Sequence, residues 1–312
     1  MSDRPRLAIV GPGTIAEVHV PAMRRAGAEV VAVVGRSVEQ ARIFADTQGI
    51  ADAYGDLETM LGAHPIDGLV ISSPNSLHAS QALLALEHGV PTLIEVPVVL
   101  HLADVGRLEK ASDRYRVPLA AAQTQRYMAP VRQLKVAIGS GAIAPTHGVI
   151  RWAFPRLRSV NWQGRERTWT DSLLWHHAGH VVDCLSWLLG APSTEFVTPC
   201  MGRNENGPLD LQMLARFGNV AINVFMSYAA SAVTHDLLLV AHGTSFSLDF
   251  TVEENGVRRE SPSLLEAAVE LQDAAFVDLV GGRPSDIPLL RDVAPSLRYI
   301  AEIEGNMEAA DA

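Results

Sequence analysis

Short apolar runs alternate with helix-like patterns over the first 122 residues of the chain. Apolar strands joined by amphipathic helices are typical of a parallel sheet whose two faces are covered by crossover helices. The predicted strands are Leu7–Val10, Glu29–Val34, Ile66–Ile71, Pro91–Val96 and Val117–Ala122, and the predicted helices are Thr14–Ala26, a helix that begins at Ser37, Ser76–His88 and residues 102–115. The pattern therefore predicts an α/β domain at residues 1–122.

The pattern changes after residue 122, where short strands and helices no longer alternate regularly. A longer strand is predicted at Thr146–Phe154 and a helix at Ser172–Leu189. Several strand-like runs between Thr194 and Phe250 are separated by Asn-Gly, Gly-Asn and His-Gly turns. We therefore predict an α+β domain at residues 123–312 with a mostly antiparallel, open-faced sheet.

Composition narrows the class of protein. With 48% apolar and 19% charged residues, the 312-residue chain can bury a core in each of two domains. Its 25 basic and 35 acidic residues give a net charge of −10, which argues against binding to nucleic acid. The chain enters its first strand almost at once, without the apolar core of a signal peptide, and no apolar run approaches the ~18 residues of a membrane helix. Cys184 and Cys200 lack CxxC spacing, which favours a reduced, cytoplasmic setting. From the charge and the short apolar runs, we expect neither nucleic-acid nor membrane partners.

A glycine-rich turn directly follows the first predicted strand. The residues Gly11-Pro12-Gly13-Thr14-Ile15-Ala16 have the GxGxxA pattern that opens a helix onto a dinucleotide pyrophosphate. Gly11 permits the tight turn, Gly13 lets the backbone approach the phosphates, and the N–H groups at Thr14 and Ile15 would face them. A turn that binds no ligand is the alternative, but the strand–turn–helix context favours a dinucleotide.

The end of the second strand bears on which dinucleotide is bound. NAD sites usually place Asp or Glu there to bind the ribose 2′-hydroxyl. This chain has Arg36 and Ser37 instead, and a guanidinium can bind a 2′-phosphate. We expect NADP as the cofactor, with NAD as the alternative, and a solvated Arg36 beside an N-cap serine as the structural alternative.

Three further motifs resemble those of the glucose–fructose oxidoreductase / inositol dehydrogenase / MocA-type oxidoreductases. They are Ser73-Pro74-Asn75-Ser76-Leu77-His78, Glu95-Val96-Pro97 and Arg126-Tyr127. The resemblance implies an N-terminal Rossmann domain and a C-terminal α+β domain. It also implies cofactor contacts, which we assign to Ser73, Pro74, Asn75, His78, Glu95, Val96 and Gln123.

One position departs from that family's pattern. Where the family commonly has a lysine that helps to transfer a proton, this chain has Val96, which cannot carry one. Either the chain is not catalytic, as in a nucleotide-binding regulator, or the acid/base group lies elsewhere. Residues 169–183 and the motif Glu270-Leu271-Gln272-Asp273 are similar to a narrower branch, the 4-carboxy-2-hydroxymuconate-6-semialdehyde dehydrogenases. That resemblance implies NADP-dependent oxidation of a cyclic hemiacetal to 2-pyrone-4,6-dicarboxylate.

A histidine-rich helix offers a replacement for the lysine. On an α-helix, His176, His180 and Asp183 lie at i, i+4 and i+7 and share one face, whereas His177 points about 100° away from His176. A histidine can accept a hydroxyl proton, and a neighbouring carboxylate can orient it. The alternatives are structural histidines or a zinc site, since His-x3-His with a carboxylate can bind zinc. We expect catalysis without a metal and assign His176, His180, Glu95 and Asp183 as catalytic candidates.

The segment 151–167 is strongly basic within this acidic chain, with five arginines against Glu166. Guanidinium groups bind carboxylates, so this segment favours a small polycarboxylate or semialdehyde substrate. The predicted substrate-binding residues are Arg126, Arg156, Arg167, Trp169 and His177, and Trp152, Trp162 and Trp175 are candidate flat walls for a planar ring. Solvated arginines and core tryptophans are the alternative.

The remaining features receive structural interpretations. His19, on the first helix, is expected to be structural. The exposed face of a sheet in the second domain often pairs with a copy of itself, so we expect a homodimer.

Overall fold

The computed structural model describes residues 4–157, 170–198, 200–254 and 257–311. The chain forms two compact units, one of Met1–Thr124 with Glu266–Ala294 and the other of Gln125–Leu265 with Pro295–Ala312. The first break falls two residues after the predicted boundary at 122. The segment 266–294 belongs to the first unit, whereas the sequence pattern assigned it to the second domain.

The first unit contains a six-stranded parallel sheet in the order β3-β2-β1-β4-β5-β6. This order, with helices between successive strands, is that of the Rossmann fold, as predicted. The strands are β1 (Arg6–Val10), β2 (Glu29–Val34), β3 (Asp52–Tyr54), β4 (Gly68–Ile71), β5 (Thr92–Ile94) and β6 (Leu119–Ala121). The helices are α1 (Ala16–Arg25), α2 (Val38–Gln48), α3 (Leu57–Ala63), α4 (His78–Glu87) and α5 (Leu102–Tyr115). The prediction missed β3 and α3. Strand β3 has only three residues, all half-buried, so the sequence shows no alternation of apolar and polar positions there.

Packing explains why the segment 266–294 returns to the first unit. A Cβ atom added at Gly68 of β4 would lie 2.9 Å from the side chain of Val280 and 3.3 Å from that of Phe276. The absence of a side chain at Gly68 therefore lets the helix Pro262–Val280 pack directly on the parallel sheet. Ala120 of β6 also forms an antiparallel bridge with Leu289.

The second unit contains a mixed six-stranded sheet in the order β14-β13-β7-β12-β11-β8, in which only β7 and β12 run parallel to each other. This agrees with the predicted α+β class. The larger strands are β7 (Pro145–Pro155), β8 (Pro192–Val197), β11 (Asp210–Phe217), β12 (Val220–Ser227), β13 (Ala229–Ala241) and β14 (Thr244–Asp249). The short strands are β9 (Arg203–Asn204), β10 (Gly207–Pro208), β15 (Thr251–Glu254) and β16 (Val257–Glu260), and the remaining α-helices are α6 (Ala129–Gly139), α7 (Gly179–Leu189), α8 (Pro262–Val280) and α9 (Leu290–Asp311).

The histidine-rich segment is not a continuous α-helix. Ser172 caps a π-helical turn at Leu173–Ala178, and α7 follows it directly. Short π-helical segments are rare and are found frequently at functional sites. Among the described residues, no helix has the length and apolar character needed to span a membrane.

Candidate functional site

The glycine turn brings two loops of the first unit into close contact. Gly11 has φ +92°, and a Cβ atom there would lie 2.6 Å from the carbonyl carbon of Ser72. Only glycine fits this position, because other residues would clash and would be strained at positive φ. The Gly11 N–H donates to the Val34 carbonyl at 2.9 Å, which ties the turn to the end of β2.

The start of α1 is suited to bind an anion. Ile15 is the N-cap residue of α1, and among the described residues no side chain makes a capping hydrogen bond there. By contrast, the side chains of Ser37 and Asp56 cap α2 and α3. Beside the turn, a Cβ atom at Gly13 would have no heavy atom within 4 Å, so the backbone is open to a ligand. Uncapped N–H groups at a helix start, next to an open glycine, fit the pyrophosphate of a dinucleotide.

The residues after β2 bear on the choice between NAD and NADP. Arg36 is exposed and forms no ion pair with any residue that the structure describes. The Ser37 hydroxyl accepts from the Gln40 N–H at 3.3 Å, so the serine acts as the helix N-cap. No carboxylate occupies the position where an NAD site usually has one, since Gly35 follows β2.

The loop after β4 is held by His78. Its buried ring nitrogens lie 2.8 Å from the Pro97 carbonyl and 2.9 Å from the Ser73 carbonyl. His78 therefore joins the loop after β4 to the loop after β5, and its assignment as a cofactor contact stays a prediction. The Ser73 hydroxyl donates to Gln81 at 2.5 Å, and Asn75 is buried. The predicted residues Pro74 and Val96 lie in these same two loops.

Gln123 lies two residues after the end of β6 and is buried. Its side-chain Oε1 atom has no hydrogen-bond partner among the described residues. A buried amide oxygen is costly to leave without a partner, so this atom is a candidate acceptor for a bound ligand.

Glu95 takes part in a buried ion cluster that the sequence analysis did not predict. Nδ1 of His19 lies 2.8 Å from Asp273 of α8, and Nε2 lies 2.9 Å from Glu95. Burial alone would lower the pKa of His19, but Asp273 and Glu95 outweigh it and raise the pKa to about 10. The nearest sequence indication was the motif Glu270-Leu271-Gln272-Asp273, which carried a resemblance but no assigned contact.

In the second unit, four side chains form a closed ring of polar contacts. Arg156 donates through Nη1 to Nε2 of His177 at 2.8 Å, and Nδ1 of His177 lies 2.6 Å from the Tyr228 hydroxyl. Tyr228 donates to Asp171 at 3.1 Å, and the Arg156 Nε lies 3.2 Å from the other carboxylate oxygen of Asp171. Tyr228 and Asp171 were not predicted, since neither has a recognisable spacing to the histidines.

The ring determines the proton positions on His177. Because a carboxylate can only accept, Tyr228 donates to Asp171 and accepts from Nδ1–H of His177. Nε2 of His177 then accepts from Arg156, which assigns a neutral imidazole. Burial, with the neighbouring His176 and Arg156, lowers the pKa of His177 well below its ordinary value. Burial and Asp171 raise the pKa of Tyr228, so it keeps its proton.

The three helix histidines form one cluster, which differs from the predicted arrangement. The ring centroid of His176 lies 4.2 Å from that of His177 and 5.8 Å from that of His180. The predicted 100° separation of His176 from His177 assumed an α-helix, and the π-helical turn changes the angular spacing. Nδ1 of His176 lies 3.8 Å from Asp171. The carboxylate near His176 therefore belongs to Asp171, which precedes the N-cap Ser172, rather than to Asp183.

Asp183 and Arg126 bind each other. The Arg126 guanidinium donates through Nε and Nη2 to the two carboxylate oxygens of Asp183, each at 2.7 Å, and the carboxylate is buried. This buried bidentate pair engages both carboxylate oxygens of Asp183, which argues against the prediction of Asp183 as an acid/base group. The zinc alternative of His176, His180 and Asp183 fails for the same reason. Arg126 uses only Nε and Nη2 in the pair, so its assignment as a substrate ligand stays a prediction.

The other basic and aromatic candidates have different surroundings. Arg151 pairs with Asp236 on the neighbouring strand at 2.5 Å. Trp152 is buried and stacks on His235, and Trp175 is also buried, so both are core residues rather than exposed walls. Arg158, Trp162, Arg165, Arg167 and Trp169 lie outside the described residues.

One group of metal-ligand type occurs among the described residues. Ligand atoms of Asp171, His176 and His177 lie within 4.8 Å of one another. Both ring nitrogens of His177 are used by Arg156 and Tyr228, and a cation there would lie next to a guanidinium. These contacts argue against a metal ion at this group.

Comparison with known proteins identifies the class. Residues 5–123 match the model of the "Oxidoreductase family, NAD-binding Rossmann fold", and residues 131–215 match "Bacterial oxidoreductases, C-terminal". The chain belongs to this oxidoreductase family, named for glucose–fructose oxidoreductase, inositol dehydrogenase and MocA. The expectation from the sequence motifs is thus confirmed at the level of the family.

Two individual relatives resemble this chain at less than 30% sequence identity. The chain is 29% identical to a 4-carboxy-2-hydroxymuconate-6-semialdehyde dehydrogenase of Sphingobium sp. over 186 residues, which cover 59% of this chain and 59% of that relative. It is 28% identical to an inositol 2-dehydrogenase of Burkholderia vietnamiensis over 228 residues, 70% of this chain and 66% of that one. The chain thus spans about three fifths of the length of the first relative and two thirds of the second.

Solved structures share the fold along nearly the whole chain. The WlbA dehydrogenase of Bordetella pertussis, in complex with NADH and UDP-GlcNAcA, has a TM-score of 0.85 at 19% identity over 99% of this chain and 97% of that one. An oxidoreductase of Agrobacterium radiobacter, in complex with NAD+, L-tartaric acid and magnesium, has a TM-score of 0.81 at 18% identity over 98% of this chain and 96% of that one.

Proposed function

We propose that the chain is an NADP-dependent dehydrogenase that oxidises the hydroxyl of a carboxylated cyclic hemiacetal to a lactone. The observation that carries this proposal is the ring of Arg156, His177, Tyr228 and Asp171 beside His176. This cluster contains a guanidinium, a group suited to bind a substrate carboxylate, and a histidine with a carboxylate neighbour.

Arg156 has donors left for a substrate. A guanidinium carries five N–H groups, and the ring uses Nε–H toward Asp171 and one Nη1–H toward His177. The remaining donors can bind a carboxylate, and the side chain is 17% exposed. Because the ring fixes the guanidinium, little side-chain entropy is lost when a carboxylate binds.

His176 is the proposed base. Its side chain is 18% exposed, and Asp171 lies 3.8 Å from Nδ1, close enough to orient the imidazole after a small adjustment. His177 cannot serve, since its two nitrogens are occupied and its pKa is lowered. His176 would accept the hydroxyl proton as the hydride leaves the carbon.

NADP would supply the hydride acceptor. The turn at Gly11 and Gly13 would hold the pyrophosphate at the start of α1, and Arg36 would bind the 2′-phosphate. The related structures contain NADH or NAD+. The choice of NADP therefore rests on Arg36 and on the missing carboxylate after β2.

The substrate is proposed from charge. We infer a semialdehyde with two carboxylates, 4-carboxy-2-hydroxymuconate-6-semialdehyde in its hemiacetal form, with 2-pyrone-4,6-dicarboxylate as product. A relative that matches 59% of the chain bears that activity in its name. Inositol dehydrogenases act on a neutral polyol, to which a fixed guanidinium gives no charge complementarity. Another carboxylated sugar or aldehyde is the second candidate.

A turnover assay tests this function. Purified chain is incubated with NADP+ and the semialdehyde, reduced cofactor is followed by absorbance, and the product is identified by mass spectrometry. Formation of the pyrone dicarboxylate supports the proposal. Tight NADP+ binding without turnover of any carboxylated semialdehyde or sugar would favour a regulator that lacks the lysine at position 96.

We also propose that the open face of the second unit's sheet forms a homodimer. Along β12, buried Ile222 and Val224 alternate with exposed Asn223 and Phe225, so the described residues leave one face of this strand uncovered. Phe225→Asp should convert a dimer to a monomer in analytical ultracentrifugation. A wild-type chain that sediments as a monomer would contradict the proposal.

A further inference from the structure

The buried cluster of Asp273, His19 and Glu95 is a second acid/base group that the proposed chemistry does not use. The side chains of Asp273 and His19 are 0% exposed, whereas that of Glu95 is 17% exposed. All three belong to the first unit. Only the Glu95 end can therefore reach a ligand.

The hydrogen-bond geometry determines the charge of this cluster. A neutral imidazole has one donor and one acceptor nitrogen, but both nitrogens of His19 face carboxylates at 2.8 and 2.9 Å. One additional proton must therefore be shared among the three groups. With that proton on His19, the cluster holds two carboxylates and one imidazolium, a net charge of −1. Moving the proton to a carboxylate leaves the net charge unchanged.

The surroundings keep that proton on His19. Asp273 of α8 and Glu95 in the loop after β5 face the His19 ring from its two sides. Gln272 donates to Asp273 at 3.4 Å, and His78 lies near Glu95. The pKa of His19 is raised to about 10 for this reason. With the proton on His19, the partly exposed Glu95 end of the cluster carries a carboxylate charge.

The position of Glu95 indicates what this charge acts on. Glu95 directly follows β5, in the half of the sheet formed by β4, β5 and β6. In a Rossmann fold each half of the sheet receives one mononucleotide, and the first half carries the glycine turn. The nicotinamide mononucleotide then belongs to the half that contains Glu95. Val96, next to it, brings no positive charge.

We propose that Asp273 and His19 act as positioning residues that hold Glu95 as an ionised carboxylate facing the nicotinamide, so that the first unit binds oxidised NADP+ in preference to NADPH. The nicotinamide ring is positively charged only in its oxidised form, and a fixed negative charge favours that form. A lysine at position 96 would cancel this charge. The inference rests on the proposed use of NADP.

Cofactor affinities test the inference without turnover. The dissociation constants of NADP+ and NADPH are measured for the wild type and for Glu95→Gln, which keeps the size of the side chain and removes its charge. The ratio of the NADPH constant to the NADP+ constant should fall about tenfold in the variant. Glu270→Gln is the matched control, because this exposed carboxylate of α8 pairs with Arg25 and should leave the ratio unchanged.

The charge of His19 can be observed directly. In ¹⁵N NMR spectra of the full chain at pH 8, His19 should show two protonated ring nitrogens, and Asp273→Asn should remove that signal. If Asp273→Asn does not fold, the wild-type spectrum and Glu95→Gln still decide. A neutral His19 at pH 8, or an unchanged ratio in Glu95→Gln, would overturn the inference. A wild type that binds neither nucleotide would instead overturn the proposed cofactor use.

Discussion

His19 in the first unit and His177 in the second are both buried, and both use each ring nitrogen, yet one is charged and the other neutral. His19 lies between two carboxylates, and its pKa is raised to about 10. His177 lies between a guanidinium and a tyrosine hydroxyl, and its pKa is lowered. Burial lowers the pKa in both cases, so the chemical identity of the partners determines the outcome.

The difference gives the two units different electrostatic character. Around His19, two carboxylates and one imidazolium leave a net charge of −1, which suits a cationic nicotinamide. Around His177, the charges of Arg156 and Asp171 compensate each other, and the neutral histidine accepts a hydrogen bond from the guanidinium. His176, next to this neutral ring and 3.8 Å from Asp171, is the residue that we propose accepts the proton.

The largest expected effect separates the histidines of the second unit. His176→Asn should lower kcat by ~10²–10⁴, the usual contribution of a positioned base. His180→Asn, as the matched control, should lower it far less, since Asp171 lies beside His176. Steady-state kinetics with the semialdehyde provides the measurement. Equal losses in both variants, or a near-normal kcat for His176→Asn, would show that the base lies elsewhere.

Replacing Asp273, the buried carboxylate partner of His19, should lower the stability of the protein by an amount that depends on pH. Asp273→Asn should reduce the free energy of unfolding by ~3–5 kcal/mol at pH 6, because it breaks a buried ion pair. A raised histidine pKa stabilises the native state fully below the ordinary value of 6.5, and this stabilisation is lost as the pH rises toward about 10. The difference between wild type and variant should therefore shrink from pH 6.5 to 10. Denaturant unfolding at several pH values measures it, and a constant difference would contradict a charged His19.

Arg156→Ala should weaken substrate binding and leave cofactor binding unchanged. Removing the fixed guanidinium should raise KM for the dicarboxylate by ~10–100-fold, the loss of one or two charge-assisted hydrogen bonds. Arg151→Ala is the matched control, since the half-exposed Arg151 pairs with Asp236 on the neighbouring strand. Parallel losses in KM and in NADP+ affinity would indicate a folding defect instead.

Arg36→Asp should show the complementary pattern in the first unit. A carboxylate at this position repels the 2′-phosphate of NADP+ and can accept from the 2′-hydroxyl of NAD+. The ratio of kcat/KM for NADP+ to that for NAD+ should fall about 10-fold, while KM for the semialdehyde stays constant. An unchanged ratio would exclude Arg36 from the cofactor site.

The sequence predicted the regular parts of this molecule well. The GxGxxA turn and the alternating strands correctly indicated the Rossmann unit, because local spacing and conformation define both. The chain return at 266–294 was missed, since its packing on Gly68 and His19 depends on contacts more than 200 residues apart in the sequence. Local patterns carry no information on such contacts.

The candidate site was harder to predict than the fold. The histidines and Arg156 were found from their spacing and from the local charge. Asp183 was assigned by α-helical periodicity, which the π-helical turn interrupts, and its true partner is Arg126. Tyr228 lies between β12 and β13, 51 residues from His177 along the chain, so no local spacing connects the two.

A crystal structure of the chain with NADP+ and 2-pyrone-4,6-dicarboxylate tests the central claim most directly. The account predicts a product carboxylate paired with the Arg156 guanidinium, and the oxygen derived from the hemiacetal hydroxyl within hydrogen-bond distance of His176. It also predicts the 2′-phosphate against Arg36. A dicarboxylate bound away from both Arg156 and His176 would contradict the proposed function.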